Sequence, residues 1–286
     1  MIKNYINHLL LFLPQSLRIK IKFFLRLGYW PDLNNPITFN ERINHRKINA
    51  NNELFNICAD KLAVRDYIAD KIGSEYLIPL VYKGDSVTAE QLKAFGKDII
   101  VKATHDSGNV FIIKDSSADY VGIARKVNKS LLFDFGRRAD EPWYSKIDAK
   151  IIVEKLLKKA DGSQPEDYKF HVFNCHDGAE IILQIDYDRF NGHNRTFYSR
   201  DGVVLDFGLK HKNLYRSLPN IENLELMFDL ALKAANDFDY VRVDFYNVEG
   251  VIYFGELTFA HGTGFERFSK REQDRVWGNY WKKATR

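Results

Sequence analysis

Apolar and polar positions change period several times along the chain, and each change predicts an element. Over 40–50, and again over 52–71, apolar residues return at helical spacing. In the second stretch Leu54, Cys58, Leu62 and Tyr67 fall near one face, while Asp60, Lys61, Arg65 and Asp66 take the polar side. Gly73 follows as a C-cap. Residues 76–82 (YLIPLVY) predict a strand with Pro79 at an edge or bend. Thr88 and Gln91 have capping-box spacing. Two β-like runs, 98–103 and 110–114, flank the turn-rich THDSGN and predict a hairpin. A helix is predicted over 117–135, no clean period over 136–148, and a strand over 150–157. Strands then follow at 168–175, 179–188, 195–200 and 203–208, with turns at His176-Asp177-Gly178 and Asp201-Gly202. A helix near 221–236 precedes two strands, 240–247 and 251–257, joined at Glu249-Gly250.

A helical start, a small β-lobe, a larger antiparallel lobe and a terminal helix make an α+β chain. The expected divisions are an N-terminal segment 1–30, helices and small lobe 31–152, and larger lobe 153–286. There is no internal repeat, no G-x-G-x-x-G and no P-loop, so Rossmann and Walker-type nucleotide sites are unsupported.

Composition narrows the class. With 286 residues, 45% of them hydrophobic, the chain has ample material for a core. Its two cysteines, Cys58 and Cys175, have no metal-ligand spacing, which argues against a disulfide framework or structural zinc. Net charge is +4, and it is uneven. Residues 1–31 carry Lys3, Arg18, Lys20, Lys22 and Arg26 with no acid, so the rest of the chain sums to −1. A near-neutral body argues against a nucleic-acid partner. The apolar run 6–13 is far short of the ~20 residues that span a bilayer, and no cleavage site follows it. Residues 16–27 admit two readings. They form a helix docked on the body, or a basic amphipathic surface on anionic lipid, where five basic residues contribute up to ~5 kcal/mol. The expected location is the cytoplasm, with peripheral contact at the inner membrane surface.

Three places carry candidate chemistry. Asp244 and Glu256 lie on two strands joined by a tight turn and flanked by apolar residues. Paired carboxylates repel unless a cation separates them, and Mg²⁺ held by carboxylates and phosphates is one solution; an ordinary surface pair of acids is the other. In the hairpin VKATHDSGNVFIIKD, Lys102 and Lys114 bracket a loop with Ser107, Gly108 and Asn109. Such a loop offers backbone donors to phosphates, or is a plain polar turn. The strand ending Glu154-Lys155-Leu156-Leu157 could set backbone groups against an adenine edge.

Together with NNPITFNERI (34–43), ADKLAVRDYI (59–68), IGSEYLIPL (72–80), EDYKFHVFN (166–174), DYDR (186–189) and GELTFAHGTGF (255–265), these motifs resemble the ATP-grasp superfamily. The fuller resemblance is to the TupA-like (teichuronopeptide-biosynthesis) ATP-grasp family, over roughly 30–270. It implies an ATP-grasp fold with ATP and Mg²⁺ as cofactors. Lys102, Ser107, Gly108, Asn109, Lys114 and Lys169 would face the phosphates. Glu154, Lys155 and Leu157 would line the adenine site, with Asp161 at the ribose. Asp244, Glu256 and Thr258 would carry metal, Thr258 standing where many ATP-grasp enzymes place Asn. Arg242 would steady an acyl phosphate. Arg189 and Arg195 are expected to hold a substrate carboxylate, because an Arg fork suits one, with His261, Gly262, Thr263 and Gly264 as a flexible wall. The implied activity is amide formation between a uronic acid of a bacterial surface polysaccharide and an amine or amino acid. A glycosyltransferase or phosphotransferase of the same pathway is the alternative; against the former, no doubly wound nucleotide-sugar domain can be read from the pattern.

Overall fold

The computed structural model describes residues 10–175, 178–187 and 194–284; the His176-Asp177 turn, the Asn191-Gly192 turn and Arg189 lie outside them. Four helices open the chain: α1 (Gln15–Leu27), α2 (Phe39–Asn49), α3 (Glu53–Ala59) and α4 (Val64–Lys71). Thr38 and Glu41 form a reciprocal capping box at the start of α2. The stretch 52–71 is two helices rather than one. The Asp60 carboxylate accepts from Leu62 N at 2.8 Å, a local turn that competes with the helical ladder. Helix α1 docks on the body: Ile19 and Phe23 are buried, and Arg18 Nε and Lys22 Nζ donate to the two Asp140 oxygens at 2.6 and 2.7 Å. Its opposite face leaves Leu17, Phe24 and Leu25 exposed.

The small lobe is a four-stranded antiparallel sheet. It contains β1 (Leu80–Gly84), β2 (Ile99–Ala103), β3 (Val110–Ile113) and β4 (Ile151–Lys155) in the order β1-β4-β2-β3. Ile99, Val101, Ile113, Ile151 and Val153 pack beneath α5 (Ala89–Ala94) and α6 (Tyr120–Ser130). The THDSGN hairpin forms, with Lys102 opposite Val110 and Ile99 opposite Ile113. Strand β1 starts later than the apolar run, because Ser74–Tyr76 is a 3₁₀ turn and Pro79 has no N–H for the ladder.

After α7 (Phe135–Ala139) comes the larger sheet: β5 (Glu166–Cys175), β6 (Gly178–Tyr187), β7 (Asn194–Tyr198), β8 (Val204–Leu205), β9 (Tyr240–Val248) and β10 (Val251–Thr258). The order is β10-β9-β5-β6-β7-β8, and every pairing is antiparallel. One face presents Phe170, Val243 and Phe245 to α8 (Leu224–Ala235), where the Phe170 and Phe228 rings sit 5.0 Å apart. The opposite face carries buried polar side chains. Two expected boundaries move. The small sheet runs on to Lys155, and helices α2–α4 share the larger core through Phe39, Ile43, Phe55 and Ile68 rather than that of the small lobe.

Helix α9 (Arg271–Ala284) closes the fold against α2 and β5. Arg46 of α2 donates to Tyr240 O and Phe259 O at 2.9 and 3.0 Å and lies 4.2 Å from the Trp281 ring centroid. It thereby ties the start of β9, the exit of β10 and α9 together. A Cβ added at Gly278 of α9 would overlap the Ile37 carbonyl. Helix propensity alone favours Ala over Gly by ~1 kcal/mol, but parting two backbones costs about 1–3 kcal/mol. Gly278→Ala is therefore expected to lower the thermal midpoint, and an unchanged or raised midpoint contradicts this packing.

Candidate functional site

Period-two alternation gathers the chemistry on one face of the large sheet. Asp167, Lys169 and His171 of β5 share that face, as do Arg242 and Asp244 of β9. The ladder sets Lys169 opposite Asp244, and Asp244 opposite Glu256 of β10. The second pairing depends on a bulge. Val248 pairs with Val251 across the turn, and a regular ladder from there would put Gly255 opposite Asp244 and turn Glu256 to the other face. The register instead shifts between Phe254 and Glu256, so Gly255 is the extra residue. Its lack of a side chain matters: a Cβ there would come 3.1 Å from the Asp244 carbonyl oxygen.

Arg242 lies between the two acids. Nε and Nη2 donate to the two Asp244 oxygens at 2.7 Å each, and Nη2 also donates to Glu256 Oε1 at 2.7 Å. Nη1 donates to His261 Nδ1 at 2.8 Å, which places the ring proton on Nε2, facing Glu266 Oε2 at 3.2 Å. Lys169 Nζ contacts Asp167 and lies 3.4 Å from Asp244 Oδ2. Burial pushes the Asp244 carboxyl up, yet Arg242 and Lys169 outweigh burial and hold it below its ordinary value. The Thr258 hydroxyl donates to Glu256 Oε1 at 2.9 Å.

The facing wall comes from the small lobe and the start of α4. Lys102 Nζ is 2.5 Å from Glu154 Oε2, and Arg65 Nη1 is 3.0 Å from Oε1. Lys61 Nζ donates to the Asp106 carbonyl. Lys61, Arg65, Lys102, Ser107, Glu154 and Glu256 line one cleft of about 540 Å³, open to solvent. Three cations on one wall and a half-exposed glutamate on the other suit a polyanion accompanied by a metal ion.

The remaining expected residues are placed unevenly. Ser107, Gly108 and Asn109 form the exposed hairpin tip; Gly108 has φ +97°, and Asn109 donates to Asp106 Oδ2 at 2.6 Å. Lys114 follows Ile113 at the end of β3 away from the loop, ~14 Å from the Val110–Lys102 pair by strand rise. The fold does not bring it to Lys102. Lys155 is exposed and Leu157 half-buried, and neither lines the cleft. Asp161 is exposed and accepts from Ser163 N at 2.8 Å within its own turn. Arg195 is buried, with Nε on Asp186 Oδ1 at 2.7 Å and Nη1 on Glu266 Oε2 at 3.0 Å. Its fork is occupied by two protein carboxylates. Arg189, the other half of that expectation, lies outside the described residues.

The His261–Gly264 turn is pinned rather than flexible. Gly262, Thr263 and Gly264 have φ of 55°, 54° and 72°, and a left-handed Thr costs ~1–3 kcal/mol that the surroundings must offset. Helix α2 holds the turn: Asn44 Nδ2 donates to Gly264 O at 2.8 Å and Lys47 Nζ to Thr263 O at 3.0 Å. Lys61 and Arg65, on the polar side of the helix that the sequence predicts, line the cleft. The signal that could have found them is their presence in ADKLAVRDYI, one of the motifs carrying the resemblance.

Mg²⁺ fits this donor set. Asp244 and Glu256 supply hard oxygens from adjacent strands, and the Thr258 hydroxyl stands beside them. Among the described residues no group of three or more His, Cys, Asp or Glu converges on one point, so the remaining ligands would come from a phosphate and water.

No curated protein matches the chain. Among solved structures it is similar to a D-alanine–D-alanine ligase from Helicobacter pylori, 14% identical, covering 80% of this chain and 62% of that one, with a TM-score of 0.42. The D-alanine–D-alanine ligase from Bacillus anthracis is 15% identical, with 71% and 57% covered and a TM-score of 0.41. Biotin carboxylase from Campylobacter jejuni is 14% identical, with 80% and 46% covered and a TM-score of 0.46. Likenesses this distant carry no functional weight, and the chain spans only about three fifths of the length of the two ligases. The TupA-like ATPgrasp family model, in contrast, matches residues 41–282, most of the chain, and the protein belongs to that family.

Proposed function

We propose that the chain binds ATP with Mg²⁺ in the cleft between its lobes and uses it to join a carboxylate to an amine. The observation that carries this reading is the facing of Lys61, Arg65 and Lys102 across one cleft toward Glu256, with Asp244 and Arg242 behind it. The cations of the small lobe would hold the triphosphate, and Lys169 would meet it from the sheet. Asp244 and Glu256 would hold Mg²⁺, which screens phosphate charge during transfer. Arg242 keeps the two acids in register and stands ready to steady charge on the transferred group. A substrate carboxylate would attack the γ-phosphorus, and the amine would then displace phosphate from the acyl phosphate. No protein nucleophile enters.

The substrate classes come from the family resemblance: a uronic acid of a capsular or cell-wall polysaccharide, and an amino acid or amine. A glycosyltransferase is disfavoured because neither sheet of the described residues is the doubly wound parallel sheet of a nucleotide-sugar fold. The test is ADP release that requires both glucuronate or galacturonate and an amine. ADP release with the uronate alone and a stable phosphorylated product would instead mark a phosphotransferase.

A membrane role is a separate proposal. No helix of the described residues is long and apolar enough to cross a membrane. Helix α1 is docked by Ile19 and Phe23, yet Leu17, Phe24 and Leu25, with Trp30 beyond, remain exposed. Arg18 and Lys22 are engaged by Asp140, so the electrostatic attraction falls from ~5 to about 3 kcal/mol. Attachment to anionic lipid would then rest on the apolar face as much as on charge.

Three outcomes follow. Asp244→Asn or Glu256→Gln is expected to lower turnover about a hundredfold or more, with the thermal midpoint preserved for the half-exposed Glu256 and lowered for Asp244, which leaves Arg242 and Lys169 without their buried partner; near-normal turnover in both would remove the metal assignment. Lys61→Met and Arg65→Met are each expected to raise the KM for ATP about ten- to a hundredfold, the worth of one charge-assisted bond. An unchanged KM would place the phosphates elsewhere. Phe24→Ser with Leu25→Ser is expected to weaken flotation on anionic vesicles at low salt. These substitutions spare the docked face, which deletion of residues 1–30 would not, and undiminished flotation rejects the membrane reading.

A further inference from the structure

The polar face of the large sheet encloses two histidines, and the groups around them settle both tautomers. Gln184 Nε2 donates to the two Asp186 oxygens at 3.1 and 3.2 Å, so its Oε1 faces His171 Nε2 at 2.9 Å. An amide oxygen only accepts. The His171 proton is therefore on Nε2, and Nδ1 accepts from the Tyr240 hydroxyl at 3.0 Å. The His261 ring stands edge-on to that of His171, with centroids 4.9 Å apart. A guanidinium only donates, so His261 Nδ1, 2.8 Å from Arg242 Nη1, is bare and Nε2 carries the proton. Both rings are neutral. Burial holds each below the ordinary histidine range; at His261 the Glu266 carboxylate pulls the other way, while Arg242 and Arg195 add to burial.

A neutral ring suits this place. Arg242 gives three contacts to the oxygens of Asp244 and Glu256 and one to His261. The acids draw on the charge of the guanidinium, whereas the imidazole orients it without doing so. A carboxylate in the position of the ring would bring a third anion onto Arg242 and leave less field for a group in transfer. The chain sets its carboxylate one ring further out. Glu266 Oε2 lies 3.2 Å from His261 Nε2, and Arg195 and Lys210 take the Glu266 charge at 3.0 and 3.1 Å. The turn HGTGFE (261–266) permits this. A Cβ at Gly262 would overlap the Glu266 side chain, which folds back toward the ring, and a Cβ at Gly264 would overlap Asn44, which holds the turn from helix α2.

We propose that His261 is a positioning residue for the transfer step: as a neutral ring protonated on Nε2, it aims the Arg242 guanidinium and leaves its charge for the group in transfer. This rests on the role given to Arg242 above and adds what fixes it. The sequence points to a substrate wall at 261–264. The structure instead turns the His261 ring inward, 3% exposed, with Arg242 on one nitrogen and Glu266 beside the other.

The experiment compares the unaltered chain with His261→Asn and His261→Leu. Asn returns an oxygen acceptor near the place of Nδ1, and Leu fills similar volume with none. The readout is ADP release from Mg-ATP with glucuronate and glycine, or with water as acceptor where that pair is not turned over. His261→Leu is expected to lower kcat about ten- to a hundredfold, the loss of one hydrogen bond to a charged group. The KM for ATP is expected to stay within about threefold, as for an interaction made in the transition state. His261→Asn is expected to restore most of kcat. A role in the fold alone would lower the thermal midpoint of both variants and leave kcat of the folded protein unchanged. Normal kcat in His261→Leu, an Asn variant as slow as the Leu variant, or a loss in KM instead of kcat overturns the proposal. A second measurement needs neither turnover nor a folded Leu variant. Nitrogen-15 NMR of the histidine rings in the unaltered chain, with His261 identified by its absence from His261→Asn, is expected to show a neutral ring with its proton on Nε2. A charged ring at neutral pH, or a proton on Nδ1, overturns the proposal as well. Absence of any ADP release from the unaltered chain defeats the ligase reading instead, and the NMR result still decides the state of the ring.

Discussion

One buried guanidinium holds the polar face of the large sheet together. Arg242 binds both oxygens of Asp244, reaches Glu256 on the next strand and fixes the His261 ring. Like charges directly opposite on neighbouring strands are destabilising, and burial sharpens the repulsion. The fork of an arginine suits two acids in adjacent rows where a point charge would not. From His261 the polar contacts continue to Glu266, then Arg195, then Asp186. His261, Glu266 and Arg195 therefore read as the support of Arg242 rather than as groups awaiting a ligand.

That arrangement explains the division of labour between the lobes. The large sheet is built around its own neutralised acids and is rigid there. The small lobe brings cations, Lys102 on a strand and Lys61 and Arg65 near α4, each tied to an acidic or carbonyl partner that a polyanion can replace. The loop tip at Ser107, Gly108 and Asn109 is exposed and is the part with least packing to resist movement. A cleft of this kind has one fixed wall and one adaptable wall.

Much of this was legible in the residues. Alternation along β5, β9 and β10, the THDSGN hairpin and the helical period of α8 follow from which side chains must be buried. The family was legible from motif order. What was not legible has particular causes. Counting from the Glu249-Gly250 turn places Glu256 on the wrong face, and only the bulge at Gly255 restores it; no propensity announces a bulge. Arg195 looks like a free fork in sequence, yet Asp186 and Glu266, nine and seventy-one residues away, claim it. The stretch 136–148 has no period at all, because Asp140 faces Arg18 and Lys22, Trp143 packs on Phe55 and Tyr144 on Phe135. Long-range pairing of charges is invisible to a window of sequence.

The central claim is that the cleft is a site for ATP with its metal. Calorimetric titration of the intact protein with a non-hydrolysable ATP analogue, with and without Mg²⁺, tests it most directly. The account predicts saturable binding with one site per chain, at least about tenfold tighter with Mg²⁺ present. Absence of binding in the presence of Mg²⁺, or binding indifferent to Mg²⁺, would contradict it.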